Sequence, residues 1–461
     1  MVTNLSGLAT FEGMNPMSID RIYGHFVSCG MEYCTDSRKA GPGDFFVCLR
    51  GERFDANLLV QEVLDKDVAF LLTDNEEFQS HDRVLWVEDS LEAFQALAAY
   101  HASTLSTRFI AVGGSNGKTS TKELIHLVLA EKFKVYATPG NFNNHVGVPM
   151  TLLALREEHE IAVVELGTNH PGEMEELCQL FRPHYGVITN IGKEHLEGFG
   201  TEEAVAREES ELYLRLQECG GKAFVNADDA WLSNMSKRLE SKFSYGIQSE
   251  TADLHGRVLS AMPHLNFELG LPVVGSTTRA WHGTFQAQLG GSYNLYNVLA
   301  AIAIGMELGI SLDQAAAACC SYVPSNNRSQ WVQTPKTQVY LDAYNANPSS
   351  MLAALSDFVR LEGPEINRKA VLLGDMFELG ENEVAEHKAI LDWLFQQPGL
   401  DVYLCGPRFK AAAGSFPMVF DSAEALLAWL DTHPIEASYA FIKGSRGMKM
   451  EKALEHFQGL S

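Results

Sequence analysis

The stretch "IAVGGSNGKTSTKELI", Ile110 to Ile125, decides how this chain is read. An apolar run breaks at Gly113-Gly114, passes through Ser115-Asn116-Gly117-Lys118-Thr119-Ser120 and gives way to helix-forming residues. A phosphate-binding loop needs backbone N–H groups converging on phosphate oxygens, a lysine for the outer phosphates and a hydroxyl for Mg2+. Gly114, Gly117, Lys118 and Thr119 supply these between an expected strand and an expected helix. The full G-x-x-x-x-G-K-[ST] pattern fails at its first position, where Val112 stands, but glycines at 113 and 114 still permit a tight turn. The expected ligand is a nucleoside triphosphate.

Outward from this loop the texture is that of a parallel sheet. RFIAVGG (108–114), IAVVEL (161–166), YGVITNI (185–191) and KAFVNAD (222–228) are short apolar runs separated by helical patterns, which predicts βαβ units. Residues 250–290 read as β-rich, and a helix is expected over about 293–309. Before residue 105 lie short runs such as GDFFVCLRG (43–51) and VAFLLT (68–73), then a helical pattern with Leu91, Phe94, Leu97 and Ala98 on one face. From Pro324 a further alternation begins, with strands at 338–345, 370–376, 401–406 and 439–445. Asn347-Pro348 opens one of its helices as cap and first residue, and Asp421-Ser422 precedes the last. The expectation is an α/β protein of three domains. These are a small α/β domain (1–105), a central P-loop ATPase domain with a mostly parallel sheet (106–324) and a doubly wound, Rossmann-like domain (325–461).

The totals bound the function. A chain of 461 residues is too long for one ordinary core. A net charge of -24 argues against nucleic acid or an anionic membrane as partner, though not against a small phosphorylated ligand held by a local basic cluster. It is also consistent with a soluble monomer. The opening MVTNLSGLATFEGMNPMSID has no basic start followed by an apolar run, so no signal peptide is expected, and no segment reaches the roughly 18–20 apolar residues of a membrane span. Eight scattered cysteines without a C-x-x-C pair suit reduced thiols in a cytoplasm.

A phosphate cradle serves kinases, GTPases, motors and ligases alike, so the surrounding residues must choose. Mg2+ takes oxygen ligands, usually one or two protein groups beside phosphates and waters. Glu165 stands at the C-terminal end of an expected strand, where ligands of open α/β sheets gather. His195, in TNIGKEHLEGFG, follows the next strand by a short loop, but a lone histidine is a poor ligand for so hard an ion.

The motifs GGSNGKTSTKEL, TPGNFNNHVGVPMTLL (138–153), VVELGTNHPGEM (163–174) and ITNIGKEHLEGFG (188–200) together resemble the ATP-dependent Mur ligases of peptidoglycan synthesis. In that family a shortened loop does the work through its G-x-N-G-K-T core, which accounts for Val112. TDSRKAGPGDFFVCLRGERFDAN (35–57), DAYNANPSSM (342–351), LGDMFELG (373–380) and KGSRGMKME (443–451) favour the member that joins D-alanyl-D-alanine to UDP-N-acetylmuramoyl-tripeptide. The resemblance implies an ADP-forming amide ligation. The γ-phosphoryl of ATP would pass to the tripeptide carboxylate, and the amine of D-alanyl-D-alanine would attack the acyl phosphate and expel phosphate.

The resemblance also implies roles residue by residue. Lys118 would contact the outer phosphates within the loop Gly114, Ser115, Asn116, Gly117, Lys118, Thr119 and Ser120; Thr119 and Glu165 would hold one Mg2+, and His195 would serve a second metal site. Asn141, Asn143 and Asn144 would face substrate and phosphates, while Asp36, Ser37 and Arg38 would receive the uridine diphosphate end. Asn294 and Asn297 would meet the adenine, although Tyr293 stands where the family usually has histidine. Arg328 would lie near ATP; Asp342, with Tyr344 and Asn345, would enter toward the γ-phosphate; Lys443 and Ser445 would meet the incoming dipeptide.

One departure is plain. Mur ligases usually carry a carbamylated lysine in a helix, and at the matching place in EEAVAREESELYLRL (202–216) stands Glu209. Either Glu209 supplies the negative oxygen directly, or it belongs to a charged face with Glu202, Glu203, Glu208 and Glu211. Alternatives for the whole chain are a sibling or folylpolyglutamate synthetase-like ligase adding one amino acid, a P-loop kinase, and a relative using ATP only as a switch.

Overall fold

The computed structural model describes residues 17–51, 54–276, 278–362 and 368–459. The stretch that carries the expectation of no signal peptide lies largely outside them, at residues 1–16. The chain forms two compact units, Met1–Leu105 with Pro149–Arg156, and Ser106–Val148 with Glu157–Ser461.

The first unit is built on a parallel sheet of Phe45–Val47, Phe70–Thr73 and Val84–Trp86, with Phe46, Val60, Val63 and Leu71 fully enclosed beside it. The predicted amphipathic helix runs Ser90–Thr104. Asp89 caps it, its carboxylate accepting from the N–H groups of Leu91 and Glu92. Phe94, Leu97 and Ala98 are buried as the pattern requires, whereas Leu91, in the first turn, is only half-buried.

The second unit holds two sheets. The larger has nine strands, and its centre is Arg108–Gly113, flanked by Ile161–Glu165 and Pro183–Ile188, both parallel to it. Val135–Ala137 closes one edge; on the other side Lys222–Asn226, Lys242–Gly246 and Leu254–Ser260 continue in parallel. Leu265–Pro272 and Arg279–Ala287 then add antiparallel strands, the β-rich stretch of the sequence. All six residues of Arg108–Gly113 except Arg108 are buried, so its side chains need no polar alternation. Val112 is one of them, paired to Glu165 on one side and Val187 on the other. It is a strand residue in the core, and the phosphate loop starts after it. That is why the first glycine of the longer pattern is missing.

The smaller sheet runs in the order Gln330–Gln333, Gln338–Asp342, Tyr439–Lys443, Lys369–Gly374, Leu400–Cys405, Val419–Phe420, parallel except at its first pair. The register sets Asp342 beside Lys443 and Leu373 beside Lys443, so three loops leave from one edge. Asn347 caps Pro348–Val359 in a reciprocal box with Ser350. Ser422 caps Ala423–Leu430, as its sequence suggests, but that helix is not the last, because Leu454–Gln458 follows it. A five-residue helix has too few turns to leave a periodic signature. Among the described residues no helix is long and apolar enough to cross a membrane.

Candidate active site

The second unit's two sheets turn the C-terminal ends of their parallel strands toward one cavity of about 650 Å³. Ser115 to Ser120, Asn141, Asn143, Asn144, Glu165, His195, Asn294, Asn297, Arg328, Asp342, Asn345 and Lys443 all line it. Residues spread over more than three hundred positions of sequence thus share one cleft, the place where open α/β sheets hold ligands.

The loop is shaped by its glycines and by what lies beneath. Gly114 has φ +110°, and a side chain there would run into Thr189. The helix Lys118–Ala130 starts at the cleft wall, where free N–H groups and the positive end of the helix dipole favour an anion. Lys118 is largely buried. Its ammonium donates to the Gly114 carbonyl at 2.5 Å and stands 3.5 Å from the Glu194 carboxylate. Burial works against its charge, but Glu194, Glu209 and Glu165 offset this and raise its pKa.

Glu165 is enclosed. Its Oε1 accepts from Thr119 Oγ1 at 3.1 Å and from Asn143 Nδ2 at 2.9 Å. Its Oε2 has no hydrogen-bond partner among the described residues, though the ammonium of Lys122 lies 3.7 Å away. Lys122 is absent from the sequence-based set, and it is fully buried. It donates to the carbonyls of Thr138 and Gly140, and so ties the 138–144 loop to the phosphate loop's helix. Its place four residues after Lys118, on the same helical face, is the signal that could have found it. Glu194 was likewise missed, hidden beside the more conspicuous His195.

Glu209 does not lie on a solvated face. Both it and Glu208 are buried on the helix Glu202–Cys219. Glu208 accepts from the N–H groups of Gly172 and Met174 at the start of Glu173–Gln179. Glu209 Oε2 accepts the Gly114 N–H at 2.7 Å, while its Oε1 is unpartnered. A Cβ at Gly113 would sit 2.7 Å from Glu209 Oε2, so a side chain there would press on the end of Glu209. Burial, with the Glu194 and Glu208 charges, pushes the Glu209 pKa up to about 8 against the pull of Lys118 and the Gly114 N–H.

His195 caps Leu196–Phe199 in the left-handed region, with φ +45°. Its Nδ1 lies 2.6 Å from Glu378 and its Nε2 3.8 Å from Glu194. Among the described residues no group of three or more His, Cys, Asp or Glu is gathered for a metal.

The remaining expected residues divide into open and committed groups. The Arg328 guanidinium carbon lies over the Tyr344 ring, 3.6 Å from its centroid. Asp342 accepts from the Ser329 N–H and pairs with Lys443 at 2.5 Å. Lys443 also donates to the Asn345 carbonyl, and Ser445 is buried, its Oγ accepting from Phe377 N–H. These two therefore hold the loops around Asp342, and Lys443 also lines the cleft. Asn345 turns its own side-chain oxygen to the next N–H. Asn294 and Asn297 are buried and bonded to each other, to Gly290, Ser329 and Thr121. Neither caps the helix, and Asn297 packs against Gly117. Asn347, besides capping, donates to Asn116 at 2.8 Å and joins the two sheets' loops. Asn141 offers only its carbonyl, to Asn143, and the Asn144 side chain accepts from Gly147.

In the first unit, Asp36 lines a separate cavity of about 440 Å³. Arg38 is exposed and clasps Asp36 with two N–H groups at 2.9 Å, which holds that carboxyl down at about 2. The cations on the cavity wall are Lys39 and Arg156, and Ser37 is buried with its carbonyl on Lys66.

The sequence matches the Mur ligase middle domain over residues 112–305 and the Mur ligase, glutamate ligase domain over residues 327–455. UDP-N-acetylmuramoyl-tripeptide–D-alanyl-D-alanine ligase of Bacillus subtilis is 33% identical, across 91% of this chain and 92% of its own. The Escherichia coli ligase of the same name is 33% identical across 92% and 93%. Among solved structures, a MurF ligase from Thermotoga maritima in complex with ADP superposes with a TM-score of 0.82 at 25% identity, covering 93% of this chain and 97% of that one. MurF from Acinetobacter baumannii superposes with a TM-score of 0.81 at 30% identity, covering 93% of each.

Proposed function

This chain belongs to the Mur ligase family, and from that premise we propose that it is the ADP-forming ligase that joins D-alanyl-D-alanine to UDP-N-acetylmuramoyl-tripeptide. The product is UDP-MurNAc-pentapeptide for peptidoglycan synthesis. The observation that carries the reading is likeness over more than nine-tenths of both chains to ligases of that name, together with a cleft whose loop has the chemistry for ATP. No observation favours a ligase of single amino acids.

In the first step the tripeptide carboxylate oxygen attacks the γ-phosphorus of ATP, and ADP leaves with the bridging electron pair. In the second, the dipeptide amine attacks the acyl carbon, gives up a proton, and phosphate departs. Three anionic reactants must be held together, so cations and N–H groups aimed at the phosphates do most of the work. Lys118 exchanges the Gly114 carbonyl and Glu194 for phosphate oxygens. Arg328, steadied on Tyr344, faces the nucleotide, and Asp342 is kept in place by Lys443 and the Ser329 N–H. Asn141, Asn143 and Asn144 bring the tripeptide end to the phosphates, and Asn294 and Asn297 brace the loop on the adenine side. Enclosure between the two sheets protects an acyl phosphate from water.

The residues present fit Mg2+. Thr119, Glu165 and Glu209 offer only oxygen, and Glu165 Oε2 and Glu209 Oε1 are buried without a hydrogen bond, which a hard cation relieves. Bound there, Mg2+ would neutralise charge on the phosphates, with Glu209 standing where the family has a carbamate and His195 at a second position. We assign residues 1–105 to binding the UDP-MurNAc-peptide, 106–324 to binding ATP and 325–461 to a Rossmann-like ligase domain, in a cytoplasmic monomer whose eight cysteines are free. The cavity beside Asp36, with Lys39 and Arg156, suits the uridine diphosphate end.

The test combines purified protein, ATP, Mg2+, UDP-MurNAc-tripeptide and D-alanyl-D-alanine, and follows phosphate release with product mass. Phosphate that appears only with both substrates, together with a pentapeptide mass, is the expected result. Turnover with a single amino acid or glutamate in place of the dipeptide overturns the assignment.

A further inference from the structure

Tyr293, which stands where the family usually has histidine, takes no part in the steps above, yet it lines the cleft. Its hydroxyl lies 2.7 Å from the Tyr340 hydroxyl and 3.2 Å from Ser329 Oγ. Tyr340, fully buried, donates to the Gly290 carbonyl at 3.1 Å. A carbonyl accepts and cannot donate, so the single Tyr340 proton is spent there and the other directions follow. Tyr293 must donate to Tyr340, and Ser329 must donate to Tyr293. Ser329 Oγ in turn accepts from Asn294 Nδ2 at 3.3 Å, Asn294 Oδ1 from Asn297 Nδ2 at 2.9 Å, and Asn297 Oδ1 from Thr121 Oγ1 at 3.1 Å. One line of donors therefore runs from the phosphate-loop helix Lys118–Ala130 to the strand Gln338–Asp342 of the six-stranded sheet.

Ser329 is where this line meets a charged group. It is buried in the segment between the two sheets, and its N–H donates to Asp342 Oδ1 at 3.1 Å. Its backbone is left-handed, with φ +47°, as is that of Asn326 and Asn327 at +56° and +57°. Asparagine enters this region readily, whereas serine keeps it where its surroundings impose it. The imposing contacts here are the two bonds at Oγ and the one at N–H. Lys443 grips the other Asp342 oxygen from the same sheet, so Ser329 supplies the contact that ties Asp342 to the helices of the nine-stranded sheet.

We propose that Ser329 is a positioning residue for Asp342, and that the Tyr293 hydroxyl anchors it. With that anchor in place the Ser329 N–H is aimed at the carboxylate, which fixes the Asp342 side chain in the cleft. The consequence for turnover rests on the ligase reading, but the first measurement does not.

That measurement is hydrogen exchange at the Ser329 amide in the full chain, labelled with 15N-serine and free of nucleotide. 1H–15N spectra follow it, and Ser329→Ala identifies the signal. The wild-type amide is expected to exchange slowly. Tyr293→Phe keeps the ring and removes the hydroxyl, and should speed the Ser329 exchange about 10-fold. The Ser438 amide, bonded to the Arg368 carbonyl, should exchange as before. Fast exchange at Ser329 in the wild type, or an unchanged rate in Tyr293→Phe, overturns the proposal. In the ligase assay, Ser329→Ala and Tyr293→Phe should each lower kcat about 10-fold, with the KM for ATP within about twofold of wild type. The double variant should fall no further than the weaker single, since both cut one line. Losses that multiply, or a change in the KM for ATP alone, also overturn it. A wild-type chain without ligase activity would instead sink the functional reading, and the exchange result would still decide how Ser329 is held.

Discussion

Lys118 and Glu209 meet the same loop from opposite sides, and each is legible only with the other. The lysine is expected from its motif; that its charge is balanced by Glu194, Glu209 and Glu165 is a property of the folded cleft. Replacing Lys118 with alanine removes the cation aimed at the phosphates. Turnover should fall about 10²- to 10³-fold, read as phosphate release. Glu209→Gln keeps the shape but not the charge, and should raise the Mg2+ concentration needed for half-maximal rate; full activity at limiting Mg2+ would end the ligand assignment. Asp36 makes a separate prediction. The Arg38 guanidinium holds its carboxyl at about 2, below its ordinary value near 3.8. A depressed carboxylate contributes stability above the unfolded pKa and loses it as pH falls through the folded one, here between about 4 and 2. Arg38→Ala should return the Asp36 titration toward its ordinary value, followed by NMR of the carboxyl carbon.

At the scale of elements, glycine and capping set how closely parts approach. The Glu209 carboxylate, on the helix Glu202–Cys219, lies where a side chain at residue 113 would press on it. Gly113→Ala should therefore reproduce the Mg2+ dependence of Glu209→Gln while leaving the carboxylate intact, and identical Mg2+ curves for Gly113→Ala and wild type would refute the contact. Asn347 both caps Pro348–Val359 and donates to Asn116. Its replacement by alanine should cost about 1 kcal/mol for the cap alone. Read as a melting midpoint, that is a fall of about 1 °C in a unit of this size. The cap was legible in Asn347-Pro348, whereas the bond to Asn116, 231 residues away, was not.

Across the whole molecule, the strand orders bring two sets of loops to one cavity, and burial sorts the thiols. Cys48, Cys178, Cys319 and Cys405 are buried, while the other four are partly accessible. Burial pushes the Cys48 and Cys405 thiols up to about 12, so they stay protonated at neutral pH. A thiol reagent at pH 8 should modify no more than the four accessible cysteines in the native protein and all eight after unfolding. Rapid reaction of Cys48 or Cys405 without unfolding would contradict the packing of their sheets.

By itself the sequence determined what lies within contiguous residues: the phosphate loop, the alternation of strands and helices, the caps at Asn347 and Ser422, and the family. Backbone geometry restricts which residues fit a tight turn, a first helical turn or a buried strand, so these features are written locally. The tertiary structure decided which polar groups are open and which are already partnered. Lys443 closes on Asp342 across 101 positions, Glu209 on Gly114 across 95, and Glu378 meets His195 from the other sheet. Such pairings follow from strand order, register and the closeness of packed helices, and no period or motif in the chain records them.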